Sequence, residues 1–127
     1  MEGGRLVLMA LRAQHHQLFP TTTTTTTGSN QIGDVADRTP GANKFDILRA
    51  VGSDSRVGSK CILPGYGFGG PCFPRDNRAL GLYAKSVGID PKLMIATDEY
   101  NVYHADRMAE EFLQEEKEEV WDFPLAV

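Results

Sequence analysis

From Asn30 onward, apolar residues recur at steps of three and four, the spacing of one face of an α-helix. Ile32, Val35 and Ala36 carry that spacing first, and Asp37-Arg38-Thr39-Pro40-Gly41 reads as a helix stop. Phe45, Ile47, Leu48 and Val51 mark a second helix from about Ala42 to Val51, ended by Gly52. A third is predicted from Pro74 to about Val87, with Leu80, Tyr83, Ala84 and Val87 on one face and Gly88 as its cap. Asp90-Pro91 then supplies an N-cap and first turn for a long helix that runs to about Glu118. Met94, Thr97, Asn101, Ala105, Met108 and Phe112 form one stripe on it, and Leu93, Ala96, Tyr100 and Tyr103 a second, so two faces are expected to be covered. Glu115-Glu116-Lys117-Glu118-Glu119 reads as a solvated helix end, and Trp121, Phe123 and Leu125 alternate as at the start of a strand.

Residues 1–29 break this pattern. Gln14-His15-His16-Gln17 and Phe19-Pro20 lead into seven consecutive threonines, Thr21 to Thr27. A homopolymer has no period with which to present one face to a core, and a lone strand is not stable. Disorder is the expected state of this head. No lysine occurs before Lys44.

The bulk properties narrow the field. A chain of 127 residues holds one modest domain, and 41% hydrophobic content is ordinary for a globular protein. A formal charge of −4 and an isoelectric point near 5.3 argue against a general binder of nucleic acid or anionic membrane. No apolar run approaches the roughly 18 residues of a membrane span, and Leu6 to Leu11 is too short for a signal-peptide core. With two cysteines and no export signal, a reducing cytoplasmic setting is the default. Cys61, Cys72, His15, His16 and His104 lack zinc spacing, so no metal site is expected.

The candidate chemistry lies between the second and third helices. Gly65, Gly67, Gly69 and Gly70 put four glycines in six positions, allowing backbone shapes and close approaches that a Cβ forbids. Cys72 follows, and Pro74 suits the first turn of a helix. Cys72 thus sits just ahead of a helix N-terminus, where the macrodipole favours a thiolate. Asp76, in that first turn, is placed to orient a water beside the sulfur. Taken singly, these features read as a plain turn, a small buried cysteine and a helix-end carboxylate. In this order they point to covalent chemistry on a small ligand.

Gly67-Phe68-Gly69-Gly70-Pro71-Cys72-Phe73-Pro74-Arg75-Asp76 closely resembles the signature of the UDP-glucose/GDP-mannose (nucleotide-sugar) dehydrogenase family. The likeness continues upstream through Ala50 to Gly58 and downstream through Asp98-Glu99-Tyr100-Asn101, covering about Asn30 to Glu119. It corresponds to that family's central helical domain. The resemblance implies that Cys72 is the nucleophile and Asp76 the water-orienting acid, with Phe68, Gly69 and Gly70 lining the sugar site. Arg56, sixteen residues before Cys72, matches an arginine that reaches a neighbouring subunit's site. A guanidinium suits a pyrophosphate because its fixed donors pair with two oxygens at once. Arg75 stands where many relatives have lysine, and Cys61-Ile62 where some have Phe-Leu. Asn101 reads either as a polar residue near the site or as a satisfied core polar group.

The expected fold is therefore mainly α: three to four helices around a glycine-rich catalytic loop with a disordered head, a fragment of a larger α/β enzyme with two Rossmann-like domains. The expected organisation is a low-complexity head over 1–29, the central helical domain over 30–119 and the start of a next domain over 120–127. In complete members of the family, NAD takes two hydrides in succession as the C6 alcohol of UDP-glucose or a similar nucleotide sugar becomes a carboxylate. The cysteine carries the thiohemiacetal and thioester between them. This sequence has no strand leading into a Gly-x-Gly-x-x-Gly helix start, and the resemblance implies that it lacks the lysine and the asparagine of the active site that relatives carry upstream. It is expected to be inactive alone. The alternatives are a non-catalytic dimerisation module, since the family forms homodimers through this domain, and a redox-reactive thiol protein without a sugar ligand.

Overall fold

A computed structural model describes residues 19–118, which form four helices joined by turns and loops, with no strand among the described residues. The helices are α1 (Phe19–Asp37), α2 (Lys44–Gly52), α3 (Phe73–Ser86) and α4 (Lys92–Glu118). α1 packs against all three others, and α3 against α4, so α1, α3 and α4 form a three-sided bundle with α2 on its flank. The mainly helical expectation holds. The strand-like alternation at Trp121, Phe123 and Leu125 lies outside the described residues, as do residues 1–18.

Each helix end has a local cause. Asn43, in extended backbone, caps α2 by accepting from the N–H of Phe45 at 2.9 Å and of Asp46 at 3.3 Å. Gly88, at φ +81°, turns the chain after α3 and lets Ile89 N–H return to the Ala84 carbonyl at 2.8 Å. The Pro91 carbonyl accepts from Ile95 N–H at 3.0 Å, opening α4.

Two expectations need correction. The threonine run is helical rather than disordered: α1 starts at Phe19 and carries all seven threonines. β-Branching costs a helix only a few tenths of a kcal/mol per residue, and packing against neighbours outweighs it. Thr23, Ser29 and Asn30 are buried, while the hydroxyls of Thr25 and Ser29 donate to the Thr21 and Thr25 carbonyls at 2.8 and 2.9 Å. A uniform run has no face of its own, so its neighbours choose one. The second correction concerns α4, where only one face is covered. Thr97, His104 and Arg107 are buried, whereas Leu93 and Tyr103 are more than half exposed, because α1 and α3 lie on the same side.

The apolar core is small. Ala36, Leu48, Ile62 and Ala84 are its buried members, and Asp34, Asn30, Asn77, Thr97, His104 and Arg107 are buried beside them. Asn77 satisfies itself by donating to the Met94 carbonyl at 2.8 Å, tying α3 to α4. Among the described residues no helix is long and apolar enough to cross a membrane.

Candidate functional site

The glycine loop runs from Ile62 to the start of α3, and its inner half is held by side chains from two helices. From α1, buried Asn30 accepts from the Gly65 N–H at 2.9 Å and makes a longer contact of 3.5 Å to the Tyr66 carbonyl. From α4, Asn101 accepts from the Phe68 N–H and donates to the Phe68 carbonyl, both at 2.8 Å. The amide thereby imitates a neighbouring strand and fixes both polar groups of Phe68. A Cβ on Gly67 would lie 2.4 Å from Asn101 Oδ1, so the amide occupies the space that any larger residue needs. Asn101 is thus a satisfied polar group that clamps the candidate site loop.

Beneath that clamp lies a buried cluster centred on Asp34 of α1. Asp34 Oδ2 accepts from the Tyr100 hydroxyl at 2.6 Å and lies 3.0 Å from His104 Nδ1, while Oδ1 pairs with Arg107, which also pairs with Glu111. His104 Nε2 lies 2.7 Å from the Gly65 carbonyl. Burial works against ionisation of Asp34, but its bonds to Tyr100, His104 and Arg107 prevail and hold its carboxyl below the usual carboxylate range. Burial and the bond to Asp34 together push the Tyr100 phenol up. Burial opposes the charge on Arg107, yet Asp34 and Glu111 raise its affinity for the proton.

The outer half of the loop is different. Gly69, Gly70, Pro71 and Cys72 are exposed, and Gly70 adopts φ +74°, a region that favours glycine. Cys72 is a free thiol at the N-cap of α3, as its position before Pro74 predicts. Asp76 sits one turn in: its N–H donates to the Cys72 carbonyl at 2.9 Å, and its carboxylate accepts from Arg75 Nε at 2.9 Å. The ion pair with Asp76, and more weakly the nearby Cys72, raise the proton affinity of exposed Arg75.

Arg56 stands apart. Its guanidinium forks onto Asp54, with Nε at 3.0 and 3.2 Å from the two carboxylate oxygens, and its side chain is 87% exposed. Among the described residues no hydrogen bond joins it to Phe68, Gly69, Gly70, Cys72 or Asp76. The fold thus carries Phe68, Gly69, Gly70, Cys72, Arg75 and Asp76 along one loop and the start of α3, with Asn101 bonded to Phe68, and leaves Arg56 on its own turn. A cleft of about 710 Å³ opens beside the inner half, lined by Phe68, Asn101, Met108 and Phe112. Cys72 does not line it, so this cleft is not the thiol's own pocket.

Sequence reasoning missed Asn30, Asp34, His104 and Arg107. A signal was there: Tyr100, His104, Arg107 and Glu111 follow steps of four, three and four, a polar stripe facing Asn30 and Asp34, themselves four apart on α1.

The description "UDP-glucose/GDP-mannose dehydrogenase family, central domain" matches residues 21–103, beginning inside the threonine run. UDP-glucose 6-dehydrogenase TuaD of Bacillus subtilis is 44% identical over 72 residues, which are 57% of this chain and 15% of that protein. The UDP-glucose 6-dehydrogenase of Pseudomonas aeruginosa is 30% identical over 108 residues, 84% of this chain and 24% of the relative. The solved UDP-glucose dehydrogenase of the hyperthermophilic archaeon Pyrobaculum islandicum superposes with a TM-score of 0.62 at 30% identity, over 67% of this chain and 19% of that one. The chain therefore spans less than a quarter of the length of each of these three proteins.

Proposed function

The chain belongs to the UDP-glucose/GDP-mannose dehydrogenase family, whose central domain it carries, and on that premise we propose that it supplies the substrate-facing loop of a nucleotide-sugar 6-dehydrogenase. The observation that carries this reading is the exposed thiol of Cys72 at the head of α3, with the Asp76 carboxylate one turn behind it. At the aldehyde stage of C6 oxidation, Cys72 Sγ adds to the carbonyl carbon and the carbonyl oxygen takes a proton, giving a thiohemiacetal. At the thioester stage, Asp76 orients water, which attacks the carbonyl carbon and releases Cys72 sulfur and the free carboxylate. Phe68, Gly69, Gly70 and Arg75 border the sugar, and Arg56 meets the diphosphate of a nucleotide sugar bound to a second copy.

NAD accepts the hydrides in this chemistry. The described residues do not fit a dinucleotide. Gly65, Gly67 and Gly70 have the right spacing, but no strand precedes them and α3 starts only at Phe73. The pure chain is inactive alone. The covalent step is open to direct test with a nucleotide sugar carrying a ¹³C-labelled C6 aldehyde and the Cys61→Ser chain. A carbon signal for the sulfur adduct is expected, and it disappears with Cys72→Ala. No adduct, or an adduct that survives that substitution, overturns the reading.

A second reading, pairing of two copies in the cytoplasm, has its own support. Ile32, Val35 and Ile47 are exposed around a shallow groove between α1 and α2. Sedimentation of the pure chain as a strict monomer would count against it.

A further inference from the structure

His104 is 4% exposed, and its ring stands between two oxygens: Asp34 Oδ2 at 3.0 Å from Nδ1 and the Gly65 carbonyl at 2.7 Å from Nε2. A neutral imidazole has one N–H and one lone pair, so it can donate to only one of them. A peptide carbonyl has no proton to give. Nor has Asp34, which takes the Tyr100 hydroxyl on the same oxygen and Arg107 on the other. Both contacts are hydrogen bonds only if both ring nitrogens carry protons.

The charges around the ring point the same way. α1 presents Asp34 and Asp37, α2 presents Lys44, and α4 itself presents Arg107 and Glu111, all lining one small cavity with His104. Lys44 pairs with Asp37, and Arg107 is shared between Asp34 and Glu111, so an imidazolium balances the carboxylate charge that remains. The phenols of Tyr66 on the loop and Tyr100 on α4 complete the surroundings.

We propose that His104 is a positioning residue that seats the glycine loop in its doubly protonated form, so that the inner half of the loop loosens when the ring gives up a proton. The proton facing the Asp34 carboxylate is the better held, because that bond is charge-assisted on both sides. Nε2 is therefore the nitrogen that empties, and its lone pair then faces the Gly65 carbonyl. Gly65 keeps its bond to Asn30, and Phe68 keeps both bonds to Asn101. Loosening starts at Gly65 and Tyr66, ahead of Phe68. The importance of this seating for chemistry rests on the proposed function, whereas the seating itself does not.

The test is an NMR titration of the full chain from about pH 5.5 to 8.5, the range in which histidine changes charge. It follows the His104 ring nitrogens, the Gly65 carbonyl carbon and the amides of Tyr66 and Phe68. The expected result is that Gly65 and Tyr66 move with the same midpoint as Nε2, and Phe68 moves less. In His104→Gln, whose amide does not titrate, that common movement should vanish. A ring that titrates in the unsubstituted chain while Gly65 and Tyr66 stay still overturns the proposal, whether or not the variant folds. No nucleotide sugar is present, so failure here counts against the clamp alone. Failure of the aldehyde to add to Cys72 counts against the functional reading.

Discussion

Gly67 and Gly69 stand two residues apart in one loop, yet the chain treats them differently. Gly67 is a glycine because the Asn101 amide fills the space a side chain would take. Nothing in the described residues comes within 4 Å of a Cβ built on Gly69. The inner half of the loop is thus specified by the chain's own packing, through Asn30, Asn101 and His104. The outer half, from Gly69 to Cys72, is exposed. No neighbour among the described residues approaches a Cβ built on Gly69 or Gly70, and Gly70 is fixed instead by its own backbone at φ +74°.

The contrast can be broken most forcefully from beneath. Asp34→Ala strips Arg107 of a buried counter-charge and leaves the donors of Tyr100 and His104 without their acceptor. A loss of about 3–5 kcal/mol is expected in urea denaturation, enough to unfold much of a chain this small. Next comes Gly67→Ala, which must displace Asn101. It should cost about 1–3 kcal/mol, and Asn101→Ala a similar amount through two lost hydrogen bonds. Gly69→Ala is the matching control, within about 0.5 kcal/mol of the unsubstituted chain in the same assay.

Acid sharpens the same contrast. The Asp34 carboxyl titrates below its usual value in the folded chain, so the unfolded chain binds that proton more readily. Its contribution is present above the ordinary aspartate range and is lost as pH falls through the lowered folded value. Urea midpoints measured downward from about pH 5 should fall in the unsubstituted chain. In Asp34→Asn, if it folds, that part of the decline should be absent.

The outer half was legible in the sequence because its information is local. Cys72, Pro74 and Asp76 lie within five positions, and a helix start explains all three. The inner half was not, because its partners lie 33 to 39 residues away along the chain, on helices whose pattern was read for apolar positions. Tyr100 was placed in an apolar stripe and His104 was read only as lacking zinc spacing, though both bond to Asp34. The threonine run failed for another reason: a homopolymer carries no phase, so only α3 and α4 reveal which of its side chains turn inward.

The most direct measurement of the central claim, that the chain presents a substrate-facing thiol on a preformed loop, is the alkylation rate of Cys72 in the Cys61→Ser chain with and without UDP-glucose. Marked slowing by UDP-glucose, lost in Gly67→Ala where the clamp is displaced, is the expected result. A rate indifferent to UDP-glucose in a folded chain would contradict it, leaving Cys72 an exposed thiol and the pairing of two copies the better reading.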